Sequence, residues 1–93
     1  MFFSFVMVGM KHYNFNCDEM KNMSFLQLLR EPENEFDKNA IKVIYKEKHI
    51  GYVSKSSNSE ENFKNLKEGF EYEIFSFQKN PSGSALEITV FKK

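Results

Sequence analysis

Two short stretches of this chain carry side chains that could grip a ligand. Lys11, His12 and Tyr13 follow shortly after Gly9 and set a cation, an imidazole and a phenol side by side. Asn34, Phe36 and Asp37 add an amide, a ring and a carboxylate within one charged stretch. An aspartate carboxylate only accepts hydrogen bonds, so it can accept one from a hydroxyl and repel a phosphate. A ring beside it offers a stacking face, worth roughly 1–3 kcal/mol per base when such a ring is removed. Lysines such as Lys11 and Lys55 can neutralise phosphates.

Each of these residues also has a plainer reading. Aspartates in such loops commonly cap the next turn, here Asn39-Ala40, or pair with a neighbour such as Lys38 or Arg30. On the residues alone, that is the commoner role for Asp37. Asn34 can build the loop in the same way. Phe36 could plug one end of a barrel, but Glu35 and Asp37 on either side argue for partial exposure. Arg30 reads as a brace for the acidic loop through Glu31, Glu33 or Asp37.

Other chemistry is absent from the pattern. His12 and His49 lack partners at ligand spacing, so no metal site is expected. His49 closes a charged turn and reads as solvated; His12, next to Tyr13, is the more interesting of the two. Ser54 to Ser59 has neither a histidine nor an acidic partner for a triad. Glu31, Glu33 and Glu35 read as a solvated loop. No cofactor and no catalytic activity are expected.

Length and charge narrow the options further. The 93 residues fit one domain, 1–93, with no room for a second core. Lys and Arg number 13, as do Asp and Glu, so the net charge is zero. Proteins that coat nucleic acid need a basic excess, because counterion release along the phosphates supplies their affinity. Any nucleic-acid binding here must therefore rest on a short local feature. The lone Cys17 excludes an internal disulfide and suits a reducing cytoplasm. Met1 to Met10 is apolar, but a membrane span takes ~20 residues and no basic region precedes it. It reads as a first strand, and no membrane partner is expected.

The elements that must position these residues are mostly strands. Phe2 to Val8, Phe25 to Leu29, Ala40 to Tyr45, His49 to Val53, Phe70 to Phe77 and Ala85 to Phe91 read as six. Lys46-Glu47-Lys48 is a charged turn, and Gly51 marks a bulge or a close backbone approach. Ser54 to Asn58 reads as a link. Ser59 caps a short helix with Phe63 and Leu66 on one face and Gly69 at its end. Phe75 and Phe77 share a strand face with Glu71 and Glu73 and either complete a stacking pocket or pack under that helix. The outline is mainly β: a small antiparallel barrel of about six strands with one or two short helices.

Two segments resemble the HIRAN family. One is Val8-Gly9-Met10-Lys11-His12-Tyr13; the other runs Arg30-Glu31-Pro32-Glu33-Asn34-Glu35-Phe36-Asp37-Lys38-Asn39-Ala40-Ile41-Lys42-Val43, followed by Ile50-Gly51-Tyr52-Val53. The family pattern is R-[DE]-P-x-N-x-[YF]-D-x-N-A-[IV]-x-V between a V-G strand end and a V/I-G-[YH] strand. The chain looks like a small, free-standing, bacterial-type member. The resemblance implies an OB-like barrel that binds the 3′-hydroxyl end of single-stranded DNA, in DNA repair or replication-fork processing, with a helicase or nuclease as protein partner. It implies a site with Lys11, His12 and Tyr13 on one wall, Asn34, Phe36 and Asp37 on the other, and Tyr52 and Lys55 nearby. DNA binders of the family often carry Arg-Tyr-Tyr where this chain has Lys11-His12-Tyr13, and lysine keeps the charge without the planar fork. The competing reading is a protein-interaction module with the same fold and a weakened DNA site.

Overall fold

The computed structural model describes residues 1–58, Phe63, Leu66 and 70–91. Six strands form: β1 (Phe2–Val8), β2 (Phe25–Arg30), β3 (Ile41–Tyr45), β4 (Lys48–Val53), β5 (Glu71–Lys79) and β6 (Ala85–Phe91). Every neighbouring pair is antiparallel, and the order β1-β4-β3-β2-β5-β6 closes on itself. Each strand thus has a paired neighbour on both sides, although β1 meets β4 over only two residue pairs and β2 meets β5 over three. Met10–Tyr13 and Cys17–Glu19 are 3₁₀ turns.

Alternation of inward and outward side chains in β1, β2, β3 and β6 fills the barrel. In β1, Phe3, Phe5 and Met7 are buried; Leu26 and Leu28 face them from β2, Ile41, Val43 and Tyr45 from β3, and Leu86, Ile88 and Val90 from β6. Phe63 is fully buried, edge-on to Phe3 at 5.7 Å and to Phe5 at 5.9 Å. The Arg30 guanidinium donates to the Phe63 carbonyl. The helix expected from Ser59 to Gly69 lies outside the described residues except at Phe63 and Leu66, which both pack on the core.

The serine-rich stretch is more than a link. It forms a helical turn, α1 (Lys55–Asn58). Direct pairing of β1 with β4 covers only Met7–Val53 and Val8–Tyr52. Beyond it, the Val6 carbonyl accepts from the Ser54 N–H (2.7 Å), and the Val6 N–H donates to Ser57 Oγ (3.2 Å). The serines thus satisfy backbone groups that the short ladder leaves over.

Two bulges break the alternation. In β4, Ile44 pairs with His49 but Val43 with Gly51, so Ile50 is the extra residue. In β5, Ile74 pairs with Val90 but Ser76 with Thr89, so Phe75 is extra. Phe75 and Phe77 consequently do not share a face: Phe75 is 60% exposed, while Phe77 turns inward beside the core. Gly51 combines both expected roles, since it follows the bulge and a Cβ there would meet the Val8 carbonyl oxygen at 2.7 Å.

Candidate nucleic-acid interface

The loop between β2 and β3 is built by its own side chains. Its ends are tied by the Glu31 N–H to the Ala40 carbonyl at 2.8 Å. Within it, Asn34 Oδ1 accepts from the N–H of Phe36 (2.9 Å) and of Asp37 (3.0 Å). Asp37 Oδ1 in turn accepts from the Asn39 N–H at 2.9 Å, the turn-capping role open to it from its sequence context. With the backbone so constrained, Phe36 projects outward with 88% of its surface exposed. It plugs nothing. A ring left in water on a braced loop is unusual, because burying it would be worth roughly 1.5–3 kcal/mol.

Glu31 ties this loop to the strand beside it. Its Oε1 accepts from Asn34 Nδ2 (2.8 Å) and from the Tyr52 hydroxyl (3.0 Å). The hydrogen bond from Asn34 holds the Glu31 carboxyl below its ordinary pKa against an opposing effect of burial, with Tyr52, Lys42 and His49 adding to the depression. Burial, then hydrogen bonding with Tyr13 and Glu31, pushes the Tyr52 phenol far up, so its hydroxyl stays a donor. Glu31 is therefore a strut, not the solvated loop residue expected.

Tyr52 reaches this position through the bulge at Ile50. An unbroken strand would put His49 outward and Tyr52 inward, three places on. The extra residue restores Tyr52 to the outside, opposite Lys42. Outside the barrel it meets Tyr13, whose ring stacks on His49 at 4.0 Å and lies 6.1 Å from the Tyr52 ring. His49 stands edge-on to Tyr52 at 4.9 Å, and its Nε2 bonds the Gly51 carbonyl at 2.9 Å. So His49 is half-buried in an aromatic cluster, not solvated, and burial lowers its pKa.

A cleft of about 250 Å³ opens between the loop and this cluster, lined by Val8, Asn34, Phe36, Asp37, Ala40, Tyr52, Val53 and Lys55. Five of the eight residues singled out from sequence line it: Asn34, Phe36, Asp37, Tyr52 and Lys55. Tyr13 adjoins it through Tyr52. Lys11 lines a separate concavity with Asn14, Phe15, Gly83 and Ser84, and His12 is exposed on the same 3₁₀ turn. Glu31, Lys42 and His49 belong to the neighbourhood although their sequence context did not mark them. The signal for Lys42 was its outward place between buried Ile41 and Val43, but its pairing with Tyr52 depends on the bulge.

The sequence model of the HIRAN domain matches residues 1–78. The chain belongs to the HIRAN family. A HIRAN domain is a nucleic-acid-binding module and is not itself catalytic. The match ends inside β5, yet the HIRAN barrel here needs β6, which pairs with both β1 and β5. No curated protein sequence matches the chain, and no solved structure does. Among the described residues, no group of three or more His, Cys, Asp or Glu is placed to hold a metal, and no helix is long and apolar enough to cross a membrane.

Proposed function

We propose that residues 1–93 act as a single module that recognises the 3′-hydroxyl end of single-stranded DNA, in repair or fork processing beside a helicase or nuclease. The observation that carries this reading is the Phe36 ring, held out in water at the mouth of a small, largely apolar cleft with Asp37 and Lys55 at its rim. At about 250 Å³ the cleft lies just under the ~300 Å³ lower end of ordinary small-molecule pockets, so it has room for part of one terminal nucleotide and not for a longer stretch of strand. Phe36 supplies a stacking face, and Tyr52 supplies a second aromatic wall. Asp37 accepts the terminal hydroxyl: one of its oxygens caps the Asn39 turn, and a carboxylate has acceptor positions for more than one donor. A 3′-phosphate would set like charges together. Lys55, Lys42 and Lys11 serve the preceding phosphates.

Lys42 lies near Glu31 and His49, while the carboxylate of Glu31 is engaged by Asn34 and Tyr52. Fluorescence anisotropy with a 3′-hydroxyl and a 3′-phosphate oligonucleotide tests the reading. The hydroxyl end binds and the phosphate end binds much more weakly; equal affinity for the two would overturn it. Affinity falls only shallowly with salt, with a log–log slope of about −0.7 per phosphate contacted.

A further inference from the structure

A second group of exposed aromatic residues lies on the other side of the barrel. Around the ring, Phe25 of β2 pairs with Glu73 of β5, Glu73 with Phe91 of β6, and Phe91 with Phe2 of β1. Their inward neighbours Leu26, Tyr72, Val90 and Phe3 are buried, so all four residues of the row point outward. The bulge at Phe75 adds a further ring. Phe2 lies 4.8 Å from Phe75 and 5.0 Å from Phe91. Phe2 is 55%, Phe25 40% and Phe75 60% exposed. Outward positions of an antiparallel sheet are ordinarily polar, and the next row here, Ser4, Thr89 and Ser76, is. The cluster of Phe2, Phe75 and Phe91, with Phe25 across Glu73 from it, marks an interaction surface.

Charge selects the occupant. Among the described residues, the charged side chains at the outward register positions of β1, β2, β5 and β6 are Glu71, Glu73 and Glu87; Lys79, at the far end of β5, is exposed beside Asp18, and Lys46 adjoins the row only at its Phe25 end. Glu73 sits between two phenylalanines, where its carboxylate and the ring faces together favour a cation. A nucleic-acid strand would meet carboxylates, and a second copy of the chain would set acid against acid. We propose that this face docks a peptide segment of a protein partner, one presenting apolar side chains around a lysine or arginine. The proposal is independent of DNA binding, because β3 and β4 stand across the ring from β5 and β6.

The test is selection of a random-peptide display library on the full chain, followed by titration of synthetic copies of the enriched peptides. Enriched peptides carry a basic residue among apolar ones. Their affinity drops at least about tenfold, or 1.4 kcal/mol, with Glu73→Lys or with glutamate at the basic peptide position. Phe75→Ser weakens them as well, and Phe36→Ser does not. Thermal melts confirm that these surface variants fold. Four results overturn the proposal: no enrichment over a Phe25→Ser/Phe75→Ser control, enriched peptides without a basic residue, binding that survives Glu73→Lys, or self-association of the chain that Phe75→Ser abolishes. None of these bears on the comparison of 3′ ends, so the two readings fail separately.

Discussion

Asn34 and Phe36 show how stability and recognition separate between neighbouring residues. Phe36 touches little, so Phe36→Ser leaves the denaturation midpoint unchanged to within ~0.5 kcal/mol. The same change weakens oligonucleotide binding by roughly 1–3 kcal/mol, measured by anisotropy. Asn34 is the reverse case. Its side chain makes three hydrogen bonds, to the Phe36 and Asp37 amides and to Glu31, and lies on the loop rather than in the barrel. Asn34→Ala therefore lowers stability by about 1 kcal/mol and also weakens binding, because Phe36 and Asp37 lose their fixed geometry. A denaturant melt that shifts with Phe36→Ser and not with Asn34→Ala would contradict this division. The choice between loop-building and ligand contact was not legible from sequence for Asp37, since an Asx turn and a ligand acceptor use the same atoms. The flanking Glu35 and Asp37 did signal the exposure of Phe36.

At the scale of elements, the β3–β4 hairpin and its bulge control the site. Lys46 (φ 51°) and Glu47 (φ 67°) both occupy the left-handed region, as a two-residue type I′ turn requires. Neither residue favours it, and the left-handed conformation costs roughly 1–2 kcal/mol per residue. Glu47→Gly accordingly raises the melting temperature without altering binding, since the turn lies at the far end of β4 from Tyr52. Gly51→Ala acts in the opposite direction. Its methyl group would press on the Val8 carbonyl oxygen at 2.7 Å and on Met7, where β1 passes closest to β4. Overpacking of this kind costs about 1–3 kcal/mol, read as a fall in the denaturation midpoint. It also disturbs Tyr52 next to it, so binding weakens too. An unchanged midpoint for Gly51→Ala would show that the strands can part there without loss.

Across the whole molecule, pH acts through the aromatic cluster and its strut. His49 has a lowered pKa in the folded protein, chiefly because burial disfavours the imidazolium. Below the ordinary histidine value the unfolded chain binds a proton that the folded chain resists, so stability falls as pH drops from about 6.5. Glu31 is also depressed, first by its bond from Asn34, and adds a second decline that begins near the ordinary glutamate value of about 4.3. Both effects favour the folded state at neutral pH and are lost on acidification. Urea midpoints measured from pH 8 down to pH 4 show the upper decline in the native chain and a flatter profile in His49→Gln. An equal slope in both would remove His49 as its source.

The sequence alone determined the strands, the family and the residues of the loop. Alternation in Phe2 to Val8 and Ala40 to Tyr45 depends on a two-residue period, which local composition reports faithfully. The run from Arg30 to Val43 keeps the spacing of a self-bracing loop, in which each contact spans only a few residues. Only the tertiary structure decided which way Tyr52, Phe75 and Phe77 point. Those directions depend on bulges at Ile50 and Phe75, and a bulge arises from the register of a partner strand, not from the strand's own residues. Tertiary structure likewise took His49 out of solvent and made Glu31 a strut, because Tyr13 lies far from His49 along the chain and Tyr52 far from Glu31. It also separated Lys11 from the cleft that gathers Phe36, Asp37 and Lys55. Sequence chose the side chains, and barrel closure with its two bulges chose the side each one faces.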